Sequence, residues 1–246
     1  MGHGIGPLYP VDTIGGSGLP GGATDSDFCT FRGIVKTGDD QSPYLVANEF
    51  IAGRLAMMLN LPIPPGDIVQ RDDGRMAYGC LRFGAKGDAL APIVPEIFAQ
   101  DEPLLSANIV MFDCWIANED RHEGNLAYAR DRLSPMVFDH DQALFGANGG
   151  RRLDRLATVR NDAILNGCLA QWITTSEAFS PFANRIRVLC HQDHGMMRSV
   201  CDEAQARGAI SKVEKEAVVE FLEHRSSRLL DMLQGLPNLK GQVVRL

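Results

Sequence analysis

Six consecutive residues, Asp120-Arg121-His122-Glu123-Gly124-Asn125, place an acid and an amide five positions apart, and a second acid, Asp139, follows them. The polar run comes where an apolar helical pattern (Leu105, Ile109, Phe112, Ile116) gives out and just before another apolar stretch. So many polar side chains are out of place there unless they face a ligand. Phosphoryl transfer asks for such a set: a carboxylate to orient the attacking hydroxyl, an amide oxygen on a metal ion, and a second carboxylate on the same ion. Asp120 is the candidate for the first, Asn125 and Asp139 for the other two. Magnesium takes one or two protein oxygens plus phosphate oxygens and water, so Asn125 and Asp139 suffice as its protein ligands. Aspartate and asparagine are also common turn residues. What favours chemistry is their combination with Arg121-His122 inside the run and Asp139 beyond it. His122 has two readings, orienting the loop backbone or joining the chemistry.

A phosphate clamp is the other half of such a site. Backbone N–H groups of a glycine-rich loop can approach a polyphosphate closely, and a lysine on the next strand adds a point charge. Gly15-Gly16-Ser17-Gly18-Leu19-Pro20-Gly21-Gly22, followed by Lys36, has that order. Gly16, Ser17 and Lys36 are therefore the candidate nucleotide-binding residues. Glu49, on the helix that follows, is placed to hold Lys36 by an ion pair.

The elements that must position these groups are read from periodicity and turn chemistry. Residues 15–22 are too rich in glycine for a helix or a regular strand interior and are expected to form a loop. Asp27 to Lys36 is rich in aromatic and β-branched residues and stops at Thr37-Gly38-Asp39-Asp40, which predicts one strand ending at Lys36. Ile51, Leu55, Met58 and Leu59 predict a helix over 48–59, with Pro62 beyond it. Runs near 67–71 and 76–83 bracket Asp72-Asp73-Gly74 as a hairpin. Beyond Gly84-Ala85-Lys86-Gly87-Asp88 the pattern turns helical, except for a short strand, Met136-Val137-Phe138, that delivers Asp139. Ser211 and Glu214 have capping-box spacing at the head of a helix that ends by Gly235 and Pro237. The expected fold is α+β and two-lobed: residues 1–88 a small β-rich lobe, residues 89–246 a mostly helical one.

Bulk properties narrow the classes. A chain of 246 residues with 45% hydrophobic content can bury a sizeable core. A net charge of −7 provides no general basic footprint, so no nucleic-acid binding by the chain itself is expected. The six cysteines are scattered without a CxxC pair and are expected to be reduced. His191 and His194, with Cys190 and Cys201 near them, fit no common zinc spacing. No apolar run reaches the ~20 residues of a membrane helix, and Met1-Gly2-His3-Gly4-Ile5-Gly6 lacks a signal pattern. The expectation is a soluble cytoplasmic protein without membrane attachment.

GGSGLPGG, FRGIVKTGDD, ANEFIAGRLAMMLNLPIP, FDCWIANEDRHEGN and MVFDHDQALF, in that order, resemble the HipA-like kinase family over about residues 10–150. DRHEGN is also similar to the catalytic loop of phosphatidylinositol 3- and 4-kinases. The resemblance implies a protein-kinase-like fold and an ATP- and Mg²⁺-dependent kinase acting on a protein serine or threonine. By the same resemblance Asp120 is catalytic, Asn125 and Asp139 bind metal, Lys36 binds phosphate, and Ser17 is a candidate for autophosphorylation. An antitoxin-like or regulatory protein partner belongs to this reading. Its rivals are a nucleotide-binding module without turnover, a lipid or small-molecule kinase, and an AMP transferase on the same fold. The sequence departs from the family where Asp141 replaces the usual glycine after Asp139-His140.

Overall fold

In the computed structural model the residues described are 12–17, 27–30, 32–83, 92–128, 135–147, 152–191 and 195–239. Strands β1 (Asp12–Ser17) and β2 (Asp27–Thr30) pair antiparallel, with a break in register between Thr13 and Ser17. Two expectations are corrected here. Gly15, Gly16 and Ser17 lie on a strand, not in a loop, because an irregular ladder tolerates glycines that a regular strand interior would not. Residues 18–22 lie outside those described. The single strand expected over 27–36 is two, β2 and then β3 (Gly33–Lys36), in different sheets. At the start of β3 the chain comes so close to the next strand that a Cβ on Gly33 would stand 3.0 Å from the carbonyl oxygen of Cys80.

β3 forms a sheet with β4 (Gly66–Gln70) and β5 (Met76–Leu81), in the order β3-β5-β4 and antiparallel throughout. The β4–β5 turn is the predicted one. Gly74 adopts φ +80°, and Arg71 N–H donates to the Arg75 carbonyl at 2.9 Å. Helix α1 (Leu45–Met58) packs on this sheet and begins three residues before the expected start.

Helices α2 (Pro95–Asp101) and α3 (Pro103–Ile116) follow. After them come the short strands β6 (Leu126–Tyr128) and β7 (Pro135–Val137), and then α4 (Arg152–Thr158), α5 (Phe179–His191), α6 (Met196–Ala206) and α7 (Lys212–Leu233). The capping box that starts α7 is present: Glu214 N–H donates to Ser211 Oγ at 3.3 Å, and Ser211 N–H donates to Glu214 Oε2 at 2.7 Å. One continuous hydrophobic cluster runs from α1 through α3 to α7. α3 is its axis, with Ile109, Phe112, Trp115 and Ile116 all buried. The fully buried guanidinium of Arg225 on α7 donates to the carbonyls of Cys114 and Trp115, at the end of α3 where the last C=O groups carry partial negative charge.

α1 is fastened to the helical part of the molecule as well as to its own sheet. Asp67 of β4 meets Arg54 of α1 at 3.3 Å and Arg207, just after α6, at 2.7 Å; Arg207 also pairs with Glu203. Among the described residues no helix is long and apolar enough to cross a membrane. Cys80, Cys114, Cys168, Cys190 and Cys201 are free thiols.

Candidate active site

The polar loop begins where α3 stops. Ala117 takes the left-handed conformation (φ +52°), which turns the chain out of the helix, and Asn118 N–H donates back to the Asp113 carbonyl at 2.9 Å. The Asp113 side chain is buried inside an otherwise apolar helix and needs a partner. It has two. Asn118 Nδ2 donates to it at 2.8 Å, and Arg121 grips both its oxygens through Nε at 2.9 Å and Nη2 at 3.1 Å. The remaining arm of Arg121, Nη1, donates to the backbone carbonyls of Asn125 at 3.1 Å and Phe138 at 2.6 Å. One buried guanidinium thus ties α3, the Asp120–Asn125 loop and the end of β7 together.

Within the loop, Asn125 Nδ2 donates to the Asp120 carbonyl at 2.8 Å, and Gln142 Nε2 donates to Asp120 Oδ2 at 2.8 Å. Of the two readings of His122, backbone orientation has a hydrogen bond behind it, since Nδ1 accepts the Gly124 N–H at 3.0 Å, while Nε2 stands 4.0 Å from Asp120 Oδ2. Gly124 must be small, since a Cβ there would lie 2.8 Å from the His122 ring.

The pairing of β6 with β7 brings the amide and the second acid to one end of a ladder. Leu126 pairs with Val137, and Phe138 N–H donates to the Asn125 carbonyl at 3.2 Å, so Asn125 lies across from Phe138 and Asp139 is the next residue. Asp139 adopts φ +65°. Its Oδ1 accepts from Lys36 Nζ at 2.6 Å, and Lys36 also bonds Glu49, as its place in the sequence suggested. Glu49 in turn accepts the His140 N–H at 3.2 Å. Lys36, Glu49 and Asp139 line a cleft of about 530 Å³ whose apolar walls include Ile34, Ile63, Tyr78, Phe83, Val137 and Phe138. Gly16 and Ser17 lie on β1, and Asp120 and Asn125 on the loop that carries Gly124 to the cleft.

Burial and neighbouring charges shift the ionisable groups in and beside the cleft. Burial by itself would lower the Lys36 ammonium, yet the carboxylates of Glu49 and Asp139 outweigh it and hold the group above its ordinary value, so Lys36 stays charged. Burial pushes Glu49 up, against the opposing pull of Lys36. His140 is completely enclosed and kept neutral by that burial, with Arg121 and Lys36 adding to it. Asp141 is pushed up to about 6, first by burial and then by Asp139, Glu49 and Asp120. Lys36 lies between the carboxylates of Glu49 and Asp139, and Arg82 also lines the cleft.

Whether the site suits a cation turns on its oxygen donors. Among the described residues no group of three or more His, Cys, Asp or Glu is arranged to hold a metal ion alone. The donors present are hard oxygens from Asn125 and Asp139, few in number and next to a cleft with room for phosphates, which fits magnesium bound together with a nucleotide.

The upward shift of Asp141 is measurable. A carboxylate raised on folding binds its proton more tightly in the folded state, so its contribution is full below its unfolded value near 4 and is lost as pH rises through about 6. Asp141→Asn should therefore stabilise the ligand-free protein at pH 7.5, by about 1 kcal/mol after allowance for solvent screening of this half-exposed group, and leave it little changed at pH 4. Urea unfolding at the two pH values checks this. Equal effects at both would remove the electrostatic explanation.

Sequence reasoning missed Asp113 and Asn48. Asp113 had a signal, a lone acid in an apolar helix eight residues before an arginine. Asn48 had none beyond its place beside Glu49; its contacts are long-range.

Comparison with known proteins bears on the family and the fold. Residues 32–148 match the sequence model of a family described as HipA-like kinase. No curated protein sequence matches the chain significantly. Among solved structures, the Helicobacter pylori proinflammatory kinase CtkA is similar with a TM-score of 0.59 at 14% identity, over 92% of this chain and 95% of that one. A chain of the Shewanella oneidensis MR-1 toxin–antitoxin complex of HipA, HipB and operator DNA gives a TM-score of 0.40 at 14% identity, over 95% of this chain and 67% of that one. The likeness to CtkA shows the fold: α+β and kinase-like, with a small β-rich lobe and a helical one. The segment that supplies Lys36, Glu49, Asp120, Asn125 and Asp139 lies within residues 32–148, the stretch that is similar to the HipA-like kinases.

Proposed function

We propose that the chain transfers the γ-phosphoryl group of ATP, with magnesium, to a hydroxyl, and that the acceptor is a protein serine or threonine. The observation that carries this reading is Lys36 held between Glu49 and Asp139 in a cleft that also reaches the Asp120–Asn125 loop. Lys36 presents a fixed positive charge to the α and β phosphates, and Glu49 keeps it aimed. Asn125 and Asp139 are the ligands for the cation, which when bound supplies charge neutralisation on the transferring phosphoryl group. Asp120 orients the acceptor hydroxyl and accepts its proton; Gln142 fixes the carboxylate from one side and leaves the other oxygen for substrate. Arg121 does not touch substrate in this scheme. We place the division between the lobes at residues 88 and 89, outside those described.

Incubation with labelled ATP and Mg²⁺ tests the reading directly. Turnover by the wild-type protein should fall about 100-fold or more in Asp120→Ala, the range for loss of a positioned acid or base. Equal, slow turnover in both would indicate a nucleotide-binding module. The mass added to the product separates phosphate from AMP, and mapping the labelled residue shows whether the acceptor is a serine or threonine and whether Ser17 is among the sites.

A further inference from the structure

Asn48 precedes Glu49 on α1 and is fully buried. Its side chain is committed to the loop that follows β7: Nδ2 donates to the Asp141 carbonyl at 2.6 Å and to the Gly146 carbonyl at 3.3 Å, and Oδ1 accepts the Phe145 N–H at 3.3 Å. One turn earlier, the Tyr44 ring stacks on Phe145 with centroids 4.3 Å apart. With Glu49 accepting from His140 N–H, a single stretch of α1 holds the loop at residues 140, 141, 145 and 146.

The loop needs such a grip. Asp139, Leu144 and Gly146 have φ values of +65°, +46° and +74°, and two of the three are not glycine. Left-handed backbone costs about 1–2 kcal/mol at an L residue, so this conformation persists only where surrounding groups enforce it. Its own turn bonds, Ala143 N–H to His140 O and Gly146 N–H to Ala143 O, shape residues 140–146 but do not fix them against the cleft. Leu144 N–H to Ile116 O anchors one side on α3. Asn48 anchors the side facing α1.

We infer that Asn48 is a positioning residue for the phosphoryl-transfer centre: its amide fixes the 139–146 loop so that the Asp139 carboxylate stands in one place relative to Lys36 and Asn125. The kinetic consequence rests on the proposed kinase reading, whereas the fixing of the loop stands on hydrogen bonds alone. An asparagine suits the task because one side chain both donates and accepts. Aspartate has the same size but turns an oxygen toward two carbonyl oxygens.

The test uses two readouts on the full chain, with Asn48→Asp, Asn48→Ser and a control, Leu55→Ala, which removes buried volume from the same helix but no hydrogen bond to the loop. Hydrogen exchange of the ligand-free protein should speed up about 5- to 30-fold over residues 139–147 in both Asn48 variants, as expected for loss of about 1–2 kcal/mol of local hydrogen bonding, and not selectively there in Leu55→Ala. In turnover assays kcat should fall about 10- to 100-fold, with a raised Mg²⁺ requirement and KM for ATP little changed, the usual size of effect for a residue that orients a metal ligand. Should Asn48→Asp not fold, Asn48→Ser carries the test. Unchanged exchange over 139–147 in a folded variant overturns the inference. A wild-type protein that turns over no ATP would instead overturn the kinase reading and leave the exchange result to decide the role of Asn48.

Discussion

Asp139→Asn should lower ATP turnover about 1000-fold while leaving the protein folded. A metal-binding carboxylate supports several kcal/mol of charge stabilisation in the transition state, and at about 1.36 kcal/mol per tenfold the loss of about 4 kcal/mol gives that factor. Asparagine is the informative replacement. Residue 139 has φ +65°, a conformation that asparagine adopts at lower cost than alanine, so the variant removes charge without adding backbone strain. The amide oxygen can still accept from Lys36, which keeps the Lys36–Glu49–Asp139 array in shape. The neighbouring Asp141 loses one of the charges that push it up, so its titration should move toward the ordinary carboxylate range. Steady-state turnover and a far-ultraviolet spectrum of the two proteins check the prediction. A folded variant with turnover within about tenfold of wild type would take Asp139 out of the metal site.

The residues of the cleft were legible because their types and order carry chemistry that few other folds need. Lys36 and Glu49 were paired from order alone, and the structure places them in contact. The short strand before Asp139 was readable from Met136-Val137-Phe138, since an apolar triplet between polar segments has few other uses. What could not be read depends on the approach of distant chain segments. Strand propensity runs unbroken from Asp27 to Lys36 and gives no sign that Gly33 must approach Cys80 closely and begin a different sheet. Glycines 15 and 16 look like loop residues until a partner strand supplies the ladder. Asn48 sits in a helix whose apolar spacing absorbs it, and its three backbone partners lie more than ninety residues away. Local pattern finds groups that act on a ligand and overlooks those that hold the first group still.

Arg121 is where stability and chemistry meet in one side chain, and they can be separated. Its side chain and that of Asp113 are 1% and 7% exposed. Arg121→Leu strands a buried carboxylate with Asn118 as its remaining partner, which should cost about 3–5 kcal/mol, a large part of the stability of a typical domain. Asp113→Leu alone strands the guanidinium and should cost a similar amount. In the double variant neither charge is left unpaired, so the loss should be well short of the sum, and urea unfolding of the four proteins gives the coupling. Turnover should not follow stability. The guanidinium also holds the carbonyls of Asn125 and Phe138, the two residues flanking the step from the loop to Asp139, and no leucine replaces those donors. The double variant should therefore refold as a stable protein whose Asn125 amide and Asp139 carboxylate are no longer registered against each other, with kcat still reduced about 10- to 100-fold. If restoring stability also restored turnover, the two carbonyl bonds would be irrelevant to the site, and Arg121 would be no more than the counter-ion of Asp113.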